Sequence, residues 1–185
     1  RHRASMVRQR SHVKHCIHSV LHREGIQPHF SALFGKAGLE WLKKVELKYS
    51  NRLSVDNYLA IHNAMTEKID LVSVQIDGLV HANPNVERLT TMPGIGAYSA
   101  LLIATEIGDV HRFHSADKLC SYAGLVPSVH QSARTLHRGH ITKEGNKLLR
   151  WILVEAAQKA GEHDQHLSKI YNRLKSRLGK NKAKA

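Results

Sequence analysis

Read for spacing alone, the chain is a series of helical stripes separated by short breaks. Arg1 to Arg23 sets Met6, Val13, Ile17, Val20 and Leu21 on one side and Arg3, Arg8, Arg10, Lys14 and Arg23 elsewhere, which predicts a basic amphipathic helix ending before Gly25. Ile26 to Phe30 turns about Pro28, Ser31 can cap a short helix through Phe34, and Leu39, Trp41, Leu42 and Val45 stripe another from Gly38 to Leu47. From Val55 the positions Val55, Tyr58, His62, Met65, Ile69, Val72, Ile76 and Leu79 alternate steps of three and four. That heptad seam predicts a helix of roughly 25 residues and about 38 Å. It can pair with another chain, pair with the helix at Arg1 to Arg23, or lie packed inside one domain, and His62 at a seam position weakens it.

Asn83-Pro84-Asn85 ends the long helix. Val86 to Met92 and Ala97 to Ile107 then read as two helices, the second with Tyr98, Leu101, Leu102 and Thr105 on its buried face. Pro93-Gly94-Ile95-Gly96 joins them, the sequence form of a helix-hairpin-helix. Its glycines let the backbone approach a surface closely, and the first amides of the second helix form a phosphate nest. An ordinary helical hairpin with a tight connection has the same signature.

Ser115 caps a short helix from Ala116 to Ala123, and Gly124 closes it. Pro127 to His140 reads as a polar loop, and Lys147 to Ala160 as a helix with Leu148, Ile152 and Ala156 on its apolar face and Leu149 and Leu153 beside it. The tail from Gly161 is basic and reads as frayed, and no strand pattern stands out. The expectation is an all-α chain. It divides into a basic helical segment over 1–50, the heptad helix over 51–83, a helix-hairpin-helix domain over 84–160 and a basic tail over 161–185.

Charge sharpens this. The chain carries 28 Lys and Arg against 15 Asp and Glu, a net +13. The excess is uneven: residues 1–50 have ten basic against three acidic side chains, 51–100 three against five, 101–150 seven against four, and 151–185 eight against three. Segregation of this kind favours a polyanionic partner over a general solubility device. Cys16 and Cys120 stand far apart, without the paired spacing of a zinc site or a disulfide framework, so the expected setting is reducing and cytoplasmic. The histidines form no H-E-x-x-H motif; His111, His114, His137 and His140 suit hydrogen bonding or phosphate contact. No signal peptide and no membrane-length apolar run is found.

One combination of residues goes further. Met92-Pro93-Gly94-Ile95-Gly96, then Leu119, Tyr122-Ala123-Gly124-Leu125, Pro127, Gln131-Ser132, Arg138-Gly139, Ile141-Thr142-Lys143, Gly145-Asn146, Leu149-Arg150 and Glu155-Ala156-Ala157 resemble the C-terminal domain of insertion sequence 110 family transposases. The resemblance covers about residues 1–160. It implies a DNA recombinase guided by a structured bridge RNA, with an N-terminal RNase H-like domain of four magnesium-holding acids, a coiled coil and a C-terminal serine. It places that serine at Ser132, ahead of Ser128, Ser121 and Thr135. The family usually has glycine at the next position, where this chain has Ala133. On this reading the chain, which opens without an initiator Met, is a C-terminal portion inactive by itself, and Mg2+ belongs to the absent nuclease domain.

A serine hydroxyl attacks a phosphodiester only if its proton is removed and the phosphoryl oxygens are stabilised. Arg134, Arg138, Lys143, Lys147 and Arg150 flank Ser132 in sequence, and the amides after Gly145 can add donors. Gly94, Ile95 and Gly96 are expected on a DNA or RNA backbone, a contact that carries no base information. Two functions follow. One is the serine-bearing part of a transposase acting on DNA with its guide RNA. The other is a non-catalytic helix-hairpin-helix module that binds nucleic acid and self-associates through the heptad helix.

Overall fold

The computed structural model describes residues 1–132 and 135–183. The chain divides into two compact units, 1–75 and 76–185.

In the first unit, α1 (His2–Arg23) lies antiparallel to the first part of α3 (Tyr49–Val80), with α2 (Lys36–Lys44) between them in sequence. The apolar stripe predicted for α1 is buried throughout: Met6, Val13, Ile17, Val20 and Leu21 are all at most 8% exposed. Four of these meet Leu33, Leu42, Val55 and Leu59 in one core, where each large aliphatic side chain contributes about 1.5–3 kcal/mol. Polar pairs fix the register. The Arg3 Nε donates to Ser73 Oγ at 2.8 Å and the Arg10 Nη1 to Thr66 Oγ1 at 3.3 Å, seven residues forward on α1 matching seven backward on α3. The heptad seam is therefore filled, over this unit, by the chain's own first helix.

His62 sits in that seam, buried. Its ring lies 5.4 Å from that of Phe34, which also carries the Lys14 ammonium over its face at 4.9 Å. Burial pushes the imidazole below its ordinary value; a contact with Asn63 opposes this, and the charges of Lys14 and Arg10 add to it.

The second unit holds the end of α3, then α4 (Pro84–Thr90), α5 (Ala97–Ile107), a 3-10 turn at Val110–Arg112, α6 (Ala116–Ala123), α7 (Lys147–His163), α8 (Gln165–Leu178) and α9 (Lys180–Ala183). Between α6 and α7 the strands β1 (Pro127–Ser132) and β2 (Thr135–Ile141) pair antiparallel. The starts of α4, α6 and α7 carry side-chain caps, whereas Ser31 to Phe34, expected as a capped short helix in the first unit, is a turn. Asn83 Oδ1 accepts from the Asn85 amide, Ser115 Oγ from Lys118, and Asn146 Oδ1 from both Leu148 and Leu149. Gly124, at φ +69°, closes α6 in the left-handed region.

The core joins Leu102 and Ile103 of α5, Ala123 of α6, and Leu149 and Ile152 of α7, with a neighbouring cluster at Val80, Val86 and Ala100. Two faces are rotated from the expected ones. On α5 Thr105 is exposed, and Ala100, Leu102, Ile103 and Glu106 are buried. On α7 the buried stripe is Leu149, Ile152, Ala156 and Ala160, with Leu148 half-buried. A buried carboxylate explains the first rotation. Glu106 Oε2 accepts from Asn146 Nδ2 at 2.6 Å, and the Tyr122 hydroxyl donates to the Glu106 carbonyl. Helices α5, α6 and α7 are thereby tied through polar groups on a face that hydrophobicity alone assigns outward.

The chain is predominantly helical, as expected, but two local readings change. Pro127 to His140, read as a polar loop, lies in the strand pair, and the tail read as frayed contains α8. No helix among the described residues is long and apolar enough to cross a membrane.

Candidate catalytic and nucleic-acid-binding site

The strand register puts Ser132 opposite Thr135, at the far end of the pair, with Pro127 opposite Ile141 at the near end. Ser132 is exposed. The near end is bound to the helical body through the backbone: the Thr142 amide donates to Val126 O at 2.9 Å, Lys143 to Gly124 O at 3.2 Å, and Asn146 to Tyr122 O at 3.0 Å. Five residues of strand at about 3.3 Å each carry Ser132 about 16 Å from that base.

A bulge lies between Pro127 and Val129 and sets Gly139 beside Ser128. A Cβ on Gly139 would stand 2.3 Å from Ser128 Oγ, so glycine is what admits that side chain. Ser128 is thus engaged within the strand pair, and Ser121 is an exposed residue of α6. Ser132 is exposed at the tip, where Thr135 is its strand partner.

Three of the cations that flank Ser132 in sequence, Lys143, Lys147 and Arg150, stand at the base of the arm. Lys143 and Lys147 are exposed at the base, Lys143 with a positive φ of 57°. Arg150 is half-buried there and its Nη1 donates to the Ala123 carbonyl at 2.9 Å, a bond that closes the end of α6. Arg138 stands in β2 opposite Val129. Arg134 and Ala133 lie outside the described residues.

The amides at the start of α7 are also committed elsewhere. Asn146 Oδ1 takes the Leu148 and Leu149 N–H groups, so this end offers fewer free donors than its glycine suggested. The start of α5 differs. Its cap residue, Gly96, is exposed and supplies no side chain, so none is bonded to the first-turn amides.

The two glycines of the α4–α5 turn do different work. Gly94 has φ +84°, and a Cβ there would meet Ala156 O at 2.6 Å and Ala160 N at 2.7 Å. Its close approach is to the backbone of α7. Ile95 is half-buried against both core clusters. Gly96 has nothing within 4 Å of where a Cβ would be. Of the predicted triplet, only Gly96 leaves room for an outside partner.

Sequence reasoning passed over the Glu106–Asn146 contact, which holds α7 to α5, and the cationic face of α8. For the latter the signal was present: Leu167, Ile170, Tyr171, Leu174 and Leu178 recur at helical spacing. Among the described residues no group of three or more His, Cys, Asp or Glu side chains converges as a metal site.

Residues 86–172 match the family model described as Transposase IS116/IS110/IS902 family. It spans α4 through most of α8 and includes the strand pair. Among curated relatives, the transposase for insertion sequence element IS1111A of Coxiella burnetii is 33% identical over 89 residues, 48% of this chain and 24% of that protein. The insertion element IS110 uncharacterized 43.6 kDa protein of Streptomyces coelicolor is 32% identical over 114 residues, 62% of this chain and 28% of its own length. The pilin gene-inverting protein of Moraxella bovis is 37% identical over 97 residues, 50% and 30% respectively. The chain thus covers less than a third of each of these relatives.

Proposed function

We propose that this chain is part of a DNA transposase or recombinase in which Ser132 supplies the attacking hydroxyl. The observation that carries the reading is the exposed Ser132 at the tip of a strand pair whose base is hydrogen-bonded to the helical body. A nucleophile that must reach a phosphorus atom flanked by sugars and bases needs such reach, and a core serine lacks it. The transposase relatives and the net charge of +13 support DNA as substrate.

In the proposed step the Ser132 Oγ forms a bond to phosphorus, one sugar–oxygen ester bond to that phosphorus breaks, and the departing sugar oxygen keeps a proton in exchange for the one the serine loses. Attack of a different sugar hydroxyl on the serine–phosphate ester reverses the step and joins a new pair of ends. The divalent cation that the resemblance implies has no donor set among the described residues, so no step here runs through it. A structured guide RNA, implied in the same way, is the second nucleic-acid partner. Lys143, Lys147 and the open backbone at Gly96 are available to either backbone; Arg134 and Arg138 complete the proposed set, with Arg150 holding the base of the arm in place. Self-association through α3 belongs to the reading too, on a different face from the seam: Leu53, Ile61, Leu71 and Val74 are exposed.

Trapping tests the chemistry. Full-length protein with its guide RNA and a DNA target should yield a covalent protein–DNA adduct that Ser132→Ala abolishes and Ser132→Cys retains in part. An adduct undiminished in Ser132→Ala refutes the assignment. The non-catalytic reading draws on the uncapped start of α5 at Gly96; it predicts that Ser132→Ala leaves affinity unchanged and that no adduct forms with any variant.

A further inference from the structure

Helix α8 has two unlike sides. On one, Ile170, Tyr171 and Leu174 are half-buried, and the Tyr171 ring lies so close to α7 that a Cβ on Gly161 would stand 3.2 Å from it. On the other, Lys169, Arg173 and Arg177 follow one another at intervals of four, all exposed, with Lys175 also exposed nearby. Gln165 to Leu178 contains no acidic residue.

The row is uncompensated. Three cations on other helices do have partners: Lys43 pairs with Glu40 at 2.8 Å, Arg52 with Asp56 at 2.5 Å and Lys159 with Glu162 at 2.7 Å. Among the described residues no carboxylate lies within ion-pair distance of Lys169, Arg173, Lys175 or Arg177. Like charges one turn apart repel, and nothing within the fold offsets that repulsion. A row of this kind is stable in company with a polyanion.

The geometry points to α8 as a clamp on the sugar–phosphate backbone of DNA, with Lys169, Arg173 and Arg177 each neutralising a phosphate. Four residues of helix rise about 6 Å, which lets successive side chains reach successive phosphates of one strand. The contact positions DNA without reading its sequence. An anionic membrane is the less suitable partner, because the apolar side that would enter lipid is turned in part onto α7. The inference rests on the nucleic-acid reading above and adds a contact surface outside the serine arm and the α4–α5 turn.

The test measures binding of the 185-residue chain to a labelled DNA duplex of mixed sequence between about 50 and 200 mM salt, plotted as log affinity against log salt. Neutralising three phosphate contacts in Lys169→Gln/Arg173→Gln/Arg177→Gln should flatten the slope by about 2.7, at about 0.9 per contact, so the variant's loss of affinity across that range is about 40-fold smaller. Arg173→Lys/Arg177→Lys should keep the slope. A control with the same change in net charge, Lys36→Gln/Lys43→Gln/Lys44→Gln, should leave it nearly intact. If the control flattens the slope as much as the α8 variant, or the α8 variant matches the parent, the clamp is refuted while the nucleic-acid reading stands. If the parent chain does not bind duplex, or binds only vesicles of anionic lipid, both fall.

Discussion

Gly94→Ala isolates the packing role of the α4–α5 turn from any role in binding. At φ +84° an alanine is strained by about 1–2 kcal/mol. Its methyl group would also stand 2.6 Å from Ala156 O and 2.7 Å from Ala160 N, both backbone atoms of a helix that cannot swing aside as a side chain can. Overpacking of that kind costs about 1–3 kcal/mol. The two effects together predict that residues 76–185 lose about 2–5 kcal/mol of stability, a large part of what a domain of this size has. Denaturant unfolding followed by far-ultraviolet circular dichroism measures it, with Gly96→Ala as the comparison. At Gly96 the backbone φ is −90° and no atom lies within 4 Å of the new methyl group, so only the weaker cap preference, under about 1 kcal/mol, is at stake. Equal losses at the two positions, or a loss under 1 kcal/mol at Gly94, would refute the claim that Gly94 is held against α7.

Two further outcomes follow from particular side chains. Gly96→Asp gives α5 the cap it lacks and should raise stability by about 0.5–1 kcal/mol; the same carboxylate would repel a phosphate, so duplex affinity should fall, and unchanged affinity would remove Gly96 from the interface. Residues 1–75 should lose stability as pH drops below about 6.5. The reason is that the unfolded chain binds a proton at His62 more readily than the folded one, whose imidazole is lowered by burial and by Lys14 and Arg10. Above that pH the contribution is flat, and His62→Gln should remove the part of the slope due to this ring, as read from melting curves at pH 5 and pH 7.5.

The helices were legible because burial there follows a 3.6-residue period. Met6, Val13, Ile17, Val20 and Leu21 all reach the core as their spacing requires, and Ser115 and Gly124 bound α6 as their chemistry requires. Spacing did not say what fills a stripe, and the seam at Val55, His62 and Ile69 packs within the chain. The strand pair was invisible for a physical reason. Alternation marks a strand only when one face is covered, and Val129 is 55% exposed with Gln131 and Ser132 exposed beside it. Sequence distance is no guide across a hairpin, whose arm separates its tip from Lys143, Lys147 and Arg150. Tail helix α8 was hidden by composition, its five apolar residues outnumbered by polar ones.

Among residues 127–141, none whose side chain is described enters a hydrophobic cluster. The arm is therefore free of the volume constraints that bind α5 and α7, and its sequence can drift, lengthen or be exchanged between relatives while the helices keep their shape. Joining Val126 to Thr142 through a short flexible link would give a protein that folds like its parent and lacks only what the arm performs. Mutational tolerance and functional importance are uncoupled in this stretch, so a stability screen would rank as dispensable the one segment that the proposed chemistry cannot lose.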